Sequence, residues 1–371
     1  MRVAFIYDAA YPFVKGGAEK RIYEIAKRLA KRHDVDWITL KWWDEENFEL
    51  DGIKYVGVGE WKELYTQNRR SIKEALYFGV KVLPFLKKQK YDIIDCTSFP
   101  YFSCFSAKFA SLINRSKLFI TWHEVWDDYW YEYIGKAGFF GKFVEKITAK
   151  LSDNIIVVSE RTKRDLIDMG IKANIKVIPN GIDFEKIKGI KASNKESDVI
   201  FVGRLIREKN VDILLKAITF VKKENPDVRC LIIGDGPEKE KLEQLANKQE
   251  LNNNVEFLGF LDSYEKVISY IKASKVFVLP STREGFGLVA LEANACGIPV
   301  VTVNHKRNAV VDLVKNSGYI CELSAKDIAE KIMIGLEEGK LMMHKCIKNA
   351  KRYEWDEIFD MIANIYKTET K

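Results

Sequence analysis

The sequence predicts an α/β protein built from two doubly wound parallel-sheet domains. Short apolar runs such as VAFIY (3–7), NIIVV (154–158) and KVFVLP (275–280) lack the in–out alternation of a half-exposed sheet. They read as strands buried on both faces. Longer helical patterns separate these runs almost throughout, the rhythm of repeated β–α units. The third observation is size, since 371 residues exceed one ordinary core.

In order, the first half offers strands at 3–7, 35–40, 53–58, 92–97, 117–122, 154–158 and 175–178. Its helices are expected at 18–32, 71–88, 101–113, 138–150 and 160–169. The turn cluster PNGID (179–183) and the polar, aperiodic KGIKASNKESD (188–198) predict a linker over about 180–197. The second half resumes with strands at 199–203, 229–233, 255–258, 275–280 and 299–303, and helices at 209–224, 237–249, 262–273 and 287–296. The expected division is 1–180, then 181–350, then a helix over 351–371 crossing back to the first domain. The two sheet domains are expected to face each other across a cleft.

Composition narrows the function classes. Apolar residues at 47% and charged residues at 30% are ordinary globular values. No uncharged apolar run approaches the ~18–20 residues of a membrane span. The start, MRVAFIYDAAYPF, shows no signal-peptide cleavage pattern, so a cytoplasmic location is expected. The six cysteines contain no C-x-x-C pair and no zinc-ligand spacing, which reads as reduced, structural thiols. Residues 1–180 hold 30 Lys and Arg against 24 Asp and Glu, whereas 181–371 hold 30 against 29. No nucleic-acid-binding motif accompanies that basic half, so nucleic acid is not an expected partner. Helix 18–32 sets Lys20, Arg21, Lys27, Arg28, Lys31 and Arg32 opposite an apolar face, and 68–90 adds Arg69, Arg70, Lys73, Lys81, Lys87 and Lys88. Solvated helix faces would explain each stretch singly; together they suggest a domain resting on an anionic membrane surface.

Ligands of doubly wound sheets bind beyond the carboxyl ends of the strands. Four loops there suit a phosphate. Gly16 and Gly17 precede the first helix; Arg204 and Lys209 follow the strand at 199–203; IIGDGPE places Asp235 and Gly236 after the next; Gly285 and Gly287 stand before helix 287–296. Glycine lets backbone N–H groups approach an anion, and a helix N-terminus adds unpaired donors. Gly285 to Ala290 also satisfies G-x-G-x-x-[GA], but VTVNHKRN ends the next strand without the acidic residue a dinucleotide site needs. Within TREGFGLVALEANACGIPVV, helix 287–296 looks apolar all round except for Glu292, eight positions after Glu284.

Taken with KGGAEK, VSE, PNGID, FVGRLIREKN, IIGDGPE and E-x7-E, these residues make the whole chain resemble the retaining, nucleotide-sugar-dependent glycosyltransferases of family four (group 1), which have the GT-B fold. The resemblance implies that Glu292 accepts hydrogen bonds from the donor ribose and that Glu284 faces hydroxyls of the donor sugar. Gly285, Phe286, Gly287 and Leu288 border the sugar and distal phosphate, the loop presenting its amides. Arg204 and Lys209 match the pyrophosphate clamp, Gly16 and Gly17 the first-domain phosphate loop, and Asp235 and Gly236 belong to the donor-binding set. His123, in FITWHEVW, matches a histidine near the transferred sugar; a lone histidine at a strand end also reads as structural.

The implied partners are a UDP- or GDP-sugar and a glycan or lipid-linked acceptor, with no metal and no other cofactor. Asp127-Asp128 and the D-x-D at Asp34–Asp36 are not placed like the metal motifs of the other major glycosyltransferase fold. A GT-B sugar-nucleotide epimerase and a catalytically silent nucleotide-sugar-binding partner are the alternatives. The aromatic segment 126–143 reads either as a packed crest or as an acceptor platform.

Overall fold

The computed structural model describes residues 1–66 and 69–369, without the side chains of Tyr65, Thr66 and Arg69. Of the basic stretch 68–90, Asn68 lies outside the described residues. The chain forms two compact units, Met1–Asn180 with Trp355–Lys371, and Gly181–Glu354.

The first unit holds an eight-stranded sheet. From one edge, the order is Asn174–Val177, Asn154–Val157, Lys117–Trp122, Ile93–Thr97, Arg2–Ile6, Asp34–Lys41, Ile53–Glu60 and Phe48–Leu50. Every pairing is parallel except that of Phe48–Leu50 with Ile53–Glu60. Its helices are α1 (Gly17–Leu29), α2 (Ile72–Lys88), α3 (Phe102–Asn114), α4 (Tyr129–Ile134), α5 (Gly138–Thr148) and α6 (Glu160–Asp168). The central strands are buried along nearly all their length, as their largely apolar runs require.

The second unit has six parallel strands in the order Val255–Gly259, Cys230–Ile233, Ser197–Val202, Ser274–Leu279, Val300–Val303 and Gly318–Cys321. Its helices are α7 (Phe184–Gly189), α8 (Val211–Glu224), α9 (Lys239–Lys248), α10 (Tyr264–Lys272), α11 (Leu288–Ala295), α12 (Val310–Val314) and α13 (Ala325–Lys351). A last helix, α14 (Trp355–Glu369), belongs to the first unit, where Arg28 Nε of α1 donates to Asp356 at 2.7 Å.

Several local features differ from expectation, among them the strand Phe48–Leu50 and the short helices α4 and α12, which the sequence reading lacks. The stretch read as linker contains α7, whose N-terminus Asp183 caps by accepting from the Lys186 amide at 3.0 Å. The strand Gly318–Cys321 and the 27-residue α13 are not signalled by the sequence pattern. Ser324 caps α13, and small residues Gly335 and Gly339 let it lie close on the sheet: a Cβ on Gly335 would stand 2.8 Å from Val276. All six cysteines are free thiols, five of them buried.

Each sheet has one place where the strand order reverses, and there the following loops splay apart to leave a crevice. In the first unit Arg2–Ile6 is flanked by Ile93–Thr97 and Asp34–Lys41; in the second, Ser197–Val202 is flanked by Cys230–Ile233 and Ser274–Leu279.

Candidate active site

The second unit brings the predicted loops together at its reversal point. After Ser197–Val202 the chain passes exposed Arg204 and turns through Arg207–Lys209 into Asn210, which takes a left-handed conformation at φ 50°. Asn210 Nδ2 donates to the Pro280 carbonyl at 2.9 Å, and the Thr282 amide donates to the Glu208 carbonyl at 2.9 Å. These bonds tie the loop carrying Arg204 and Lys209 to the loop carrying Glu284. Lys209 Nζ then donates directly to Glu284 Oε1, with side-chain exposures of 15% and 13%. A cation and a carboxylate 75 residues apart in sequence are thereby fixed side by side.

Glu284 is held from its other side as well. Arg283–Glu284 pairs in parallel with Arg307–Asn308, and the Ala309 amide donates to the Glu284 carbonyl at 2.9 Å. Asn308 anchors this short ladder by donating to Thr302 Oγ1 and the Val303 carbonyl at 3.0 and 2.9 Å. Gly287 enters α11 at φ 93°, and a Cβ there would stand 2.3 Å from Val310 Cγ2. Only glycine fits both demands. Ser71, Ser159, Ser263 and Ser324 cap α2, α6, α10 and α13; α11, which starts on Gly287, carries no side-chain cap, whereas in the first turn of α1, after Gly16, the Glu19 carboxylate folds back to its own amide. Uncapped first-turn amides are where an anion is best accommodated.

The side chain of Phe286 turns inward, packing edge-on against Tyr353 at 5.9 Å. Helix α11 is not buried all round: Leu288, Val289 and Glu292 share a half-open side, while Ala290, Leu291 and Ala293 are buried. The sequence suggests a carboxylate in a place that should exclude it; the structure puts Glu292 where solvent and a ligand can reach it. Beside it stands Tyr264 of α10, whose phenol is pushed up by burial and then by the Glu292 charge.

Gly234 and Gly236 have packing reasons of their own. A Cβ on Gly234 would stand 1.9 Å from the Gly203 carbonyl oxygen, and one on Gly236 would stand 2.4 Å from that of Leu205. This close approach lets the Leu205 amide donate to the Asp235 carbonyl at 2.8 Å, docking the two loops. The Asp235 side chain is exposed and lies 3.6 Å from Lys239.

In the first unit, Gly16 and Gly17 are exposed at the start of α1. A Cβ on Gly16 would meet the Glu19 carboxylate at 2.3 Å. Behind this turn, Arg70 pairs with buried Asp8 and lies 3.9 Å from buried Glu74. Burial and the Asp8 charge lift Glu74 to about 8, and burial lifts Glu19 to about 7. His123 is half-buried at the end of Lys117–Trp122, one strand away from the reversal point. Its Nε2 is sealed from solvent and has no hydrogen-bond partner among the described residues. Burial, then the Arg21 charge, lower its pKa to about 3.

Arg21 corrects the reading of α1. Its spacing places it on the polar face, yet it is only 2% exposed. It donates to the Pro179 carbonyl at 2.5 Å and to Asn180 Oδ1 at 3.1 Å, where the chain leaves this unit. Arg28 and Lys27 are likewise occupied, with Glu24 at 2.6 and 2.7 Å. The charge asymmetry also shrinks: by structural unit, the first holds 32 Lys and Arg against 28 Asp and Glu, the second 28 against 25. The acidic α14 accounts for the change.

The aromatic segment divides in two. Trp126, Tyr129 and Trp130 are buried, with Trp126 stacked on Phe99 at 4.9 Å and its amide donating to buried Glu145 at 2.8 Å. Phe139, Phe140 and Phe143 of α5 are more than half exposed. Among the described residues no group of three or more His, Cys, Asp or Glu could hold a metal ion, and no helix is long and apolar enough to cross a membrane.

Comparison with known proteins bears on the family and the fold. The family model for glycosyl transferases group 1 matches residues 183–353, and that for glycosyltransferase family 4 matches 15–186. An uncharacterized glycosyltransferase of Haemophilus influenzae is 29% identical over 334 residues, covering 87% of this chain and 86% of its own. A component of the human phosphatidylinositol N-acetylglucosaminyltransferase is 25% identical over 381 residues, covering 98% and 75%. The Anabaena protein HepE, solved in complex with UDP, superposes with a TM-score of 0.77 at 22% identity, over 99% of this chain and 100% of its own. The fold is therefore the GT-B architecture. With both family models together spanning 15–353, the chain belongs to the family-four-like, group 1 glycosyltransferases.

Proposed function

We propose that this glycosyltransferase moves a sugar from a nucleoside diphosphate donor to an acceptor hydroxyl, with retention of anomeric configuration and without a metal. The observation that carries the reading is the Lys209–Glu284 contact on two loops laced together by Asn210. An ammonium has three donors, so Lys209 can hold Glu284 with one and a phosphate oxygen with another. The carboxylate that meets sugar hydroxyls and the cation that meets the leaving group are then positioned by a single contact. Arg204, on the same loop, adds a second cation for the charge that grows as the anomeric C–O bond breaks. Glu292, on the open side of α11, accepts from the ribose hydroxyls. Gly16 and Gly17 offer backbone amides to the distal phosphate, and His123 attends the transferred sugar.

The acceptor oxygen bonds to the anomeric carbon on the face from which the diphosphate departs. Its proton passes to a diphosphate oxygen, so no enzyme nucleophile is needed. The human relative is named for a phosphatidylinositol acceptor and HepE was solved with UDP, which supports a UDP-sugar and a lipid-linked acceptor here. We place the protein at the cytoplasmic face of an anionic membrane. The supporting surface is not α1 but the outer sides of α2, α3 and α5, where Ile72, Leu76, Val80, Phe109, Leu112 and Phe140 are exposed beside Lys73, Lys81, Lys87 and Lys88. Incubation with UDP-, GDP- and ADP-sugars and a polyprenyl-linked glycan, followed by NMR of the product's anomeric proton, tests the reading. An α-configured donor should give an α-linked product in the presence of EDTA; a β-linked product or strict metal dependence would overturn it.

A further inference from the structure

Beneath His123 lies a cavity of about 10 Å³, lined by Arg21, Asp95, Thr97, Thr121 and His123 and closed by Phe5, Ile22, Ile25 and Ile362. That volume is about the room one water requires, provided two or more polar partners surround it. Two such partners are present. Arg21 Nη2 and His123 Nε2 are both buried and have no hydrogen-bond partner among the described residues. One can only donate; the other is an acceptor in one tautomer of the neutral ring.

The rest of the lining is already engaged. Asp95, 4% exposed in the centre of the sheet, accepts from Thr121 Oγ1 at 2.7 Å and from Tyr366 Oη of α14. Its charge faces Arg21, and burial pushes its pKa up against these bonds and the Arg21 charge. Arg21, Asp95 and Tyr366 are the ionisable groups brought to this cavity by α1, the strand Ile93–Thr97 and α14.

We propose that this cavity binds one ordered water, which accepts from Arg21 Nη2 and donates to His123 Nε2, fixing His123 as the Nδ1–H tautomer. The guanidinium charge selects this arrangement, because a cation favours the lone-pair edge of an imidazole over its N–H edge. The same charge, with burial, keeps the ring neutral. Since Nε2 is sealed, the half-buried ring meets a substrate on its Nδ1 side, and there it donates a hydrogen bond rather than accepting a proton. Arg21 is then a positioning residue for His123, held by the Pro179 carbonyl and Asn180, and Tyr366 holds the carboxylate whose charge faces it. The consequence for the sugar rests on the proposed role of His123; the tautomer does not.

Nitrogen-15 imidazole NMR on the full chain decides it, with His123→Gln identifying the signal among the four histidines. The expected spectrum has Nδ1 protonated, Nε2 bare and no titration between pH 5 and 9. Arg21→Met should bring the His123 titration up into that range and lose the tautomer preference. Thr97→Ile, which fills the cavity but keeps Arg21, should lose the preference alone and serves even where Arg21→Met fails to fold. A protonated Nε2 in the unsubstituted protein, or a Thr97→Ile spectrum unchanged at His123, would overturn the water site. None of these readouts measures sugar transfer, so this inference and the proposed reaction can fail separately.

Discussion

Both units set a cation near a carboxylate at the reversal point of a sheet, in direct contact in the second unit and facing each other without a direct bond in the first. Lys209 and Glu284 lie on loops and keep 15% and 13% of their side chains exposed. Arg21 and Asp95 lie on a helix and a central strand, at 2% and 4% exposure, each hydrogen-bonded to other buried groups. A pair that water can reach loses little when a ligand rearranges it, since the ions are never stranded. A buried pair is different, because removing one member leaves the other uncompensated. The first kind of pair can take part in a reaction; the second serves as a frame.

The largest expected effect breaks the frame. Arg21→Ala should lower unfolding stability by about 3–5 kcal/mol, read by urea denaturation, because the Pro179 carbonyl and Asn180 lose a buried donor and the Asp95 carboxylate loses the cation that faces it. An effect within about 0.5 kcal/mol, the range of an ordinary surface substitution, would abolish the contrast. Next, Lys209→Ala and Arg204→Ala should each lower kcat by about 10²-fold, more than they raise the donor KM. Their unfolding midpoints should stay close to the parent's. A loss confined to KM would make both residues ground-state binders.

Glu292→Ala should weaken nucleoside diphosphate binding by about 10-fold or more, the worth of a hydrogen bond to a charged group, with Glu292→Gln losing less. Unchanged calorimetric affinity in both variants would remove the ribose role.

The pH response sharpens the comparison further. Glu19 and Glu74 carry pKa values raised to about 7 and about 8 in the folded unit, above their unfolded value near 4.5. A raised carboxyl binds its proton more tightly when folded, so its stabilisation is complete below about 4.5 and is lost as pH rises through 7 and 8. His123, lowered to about 3, works in the opposite sense only below its unfolded value of 6.5. Between pH 6.5 and 8.5 the stability of the first unit should therefore fall, by at most ~1.4 kcal/mol per pH unit for each carboxyl. Glu74→Gln should flatten that slope. The smallest effect concerns α5: Phe140→Ser with Phe143→Ser should weaken binding to anionic liposomes a few-fold at low salt, without changing turnover of a soluble acceptor analogue. Equal binding by both proteins would remove this surface from the acceptor reading.

Much of the fold was legible because parallel β–α units write themselves into sequence. An apolar strand, a glycine loop and a helix recur in order, and the loop after each strand falls at the ligand-binding edge. This is why Arg204, Lys209, Glu284 and Glu292 could be singled out by position. What sequence could not convey is burial decided at long range. Arg21 has the helical spacing of a solvated residue, and only the arrival of Asn180 and α14 encloses it. Asp95 gave no signal of its own within the strand run 92–97, and its partners lie 26 and 271 residues away. The strand Gly318–Cys321 is short and begins on a glycine, so no periodicity marked it. Tyr264 gave no signal beside Glu292, because two residues on different helices share no local pattern.

The return of α14 has a consequence for how the protein is made. In sequence, the second unit is an insertion within the first, since Gly181–Glu354 interrupts the stretches that build the eight-stranded unit. A ribosome therefore delivers every residue of the inserted unit before it delivers Tyr366, the phenol that completes the buried network around Asp95. The inserted unit can close its own core while the unit begun first still lacks its final helix. Maturation thus runs against the direction of synthesis: the half whose strands emerge first is the half finished last. Until then, the framework under His123 lacks one of its members.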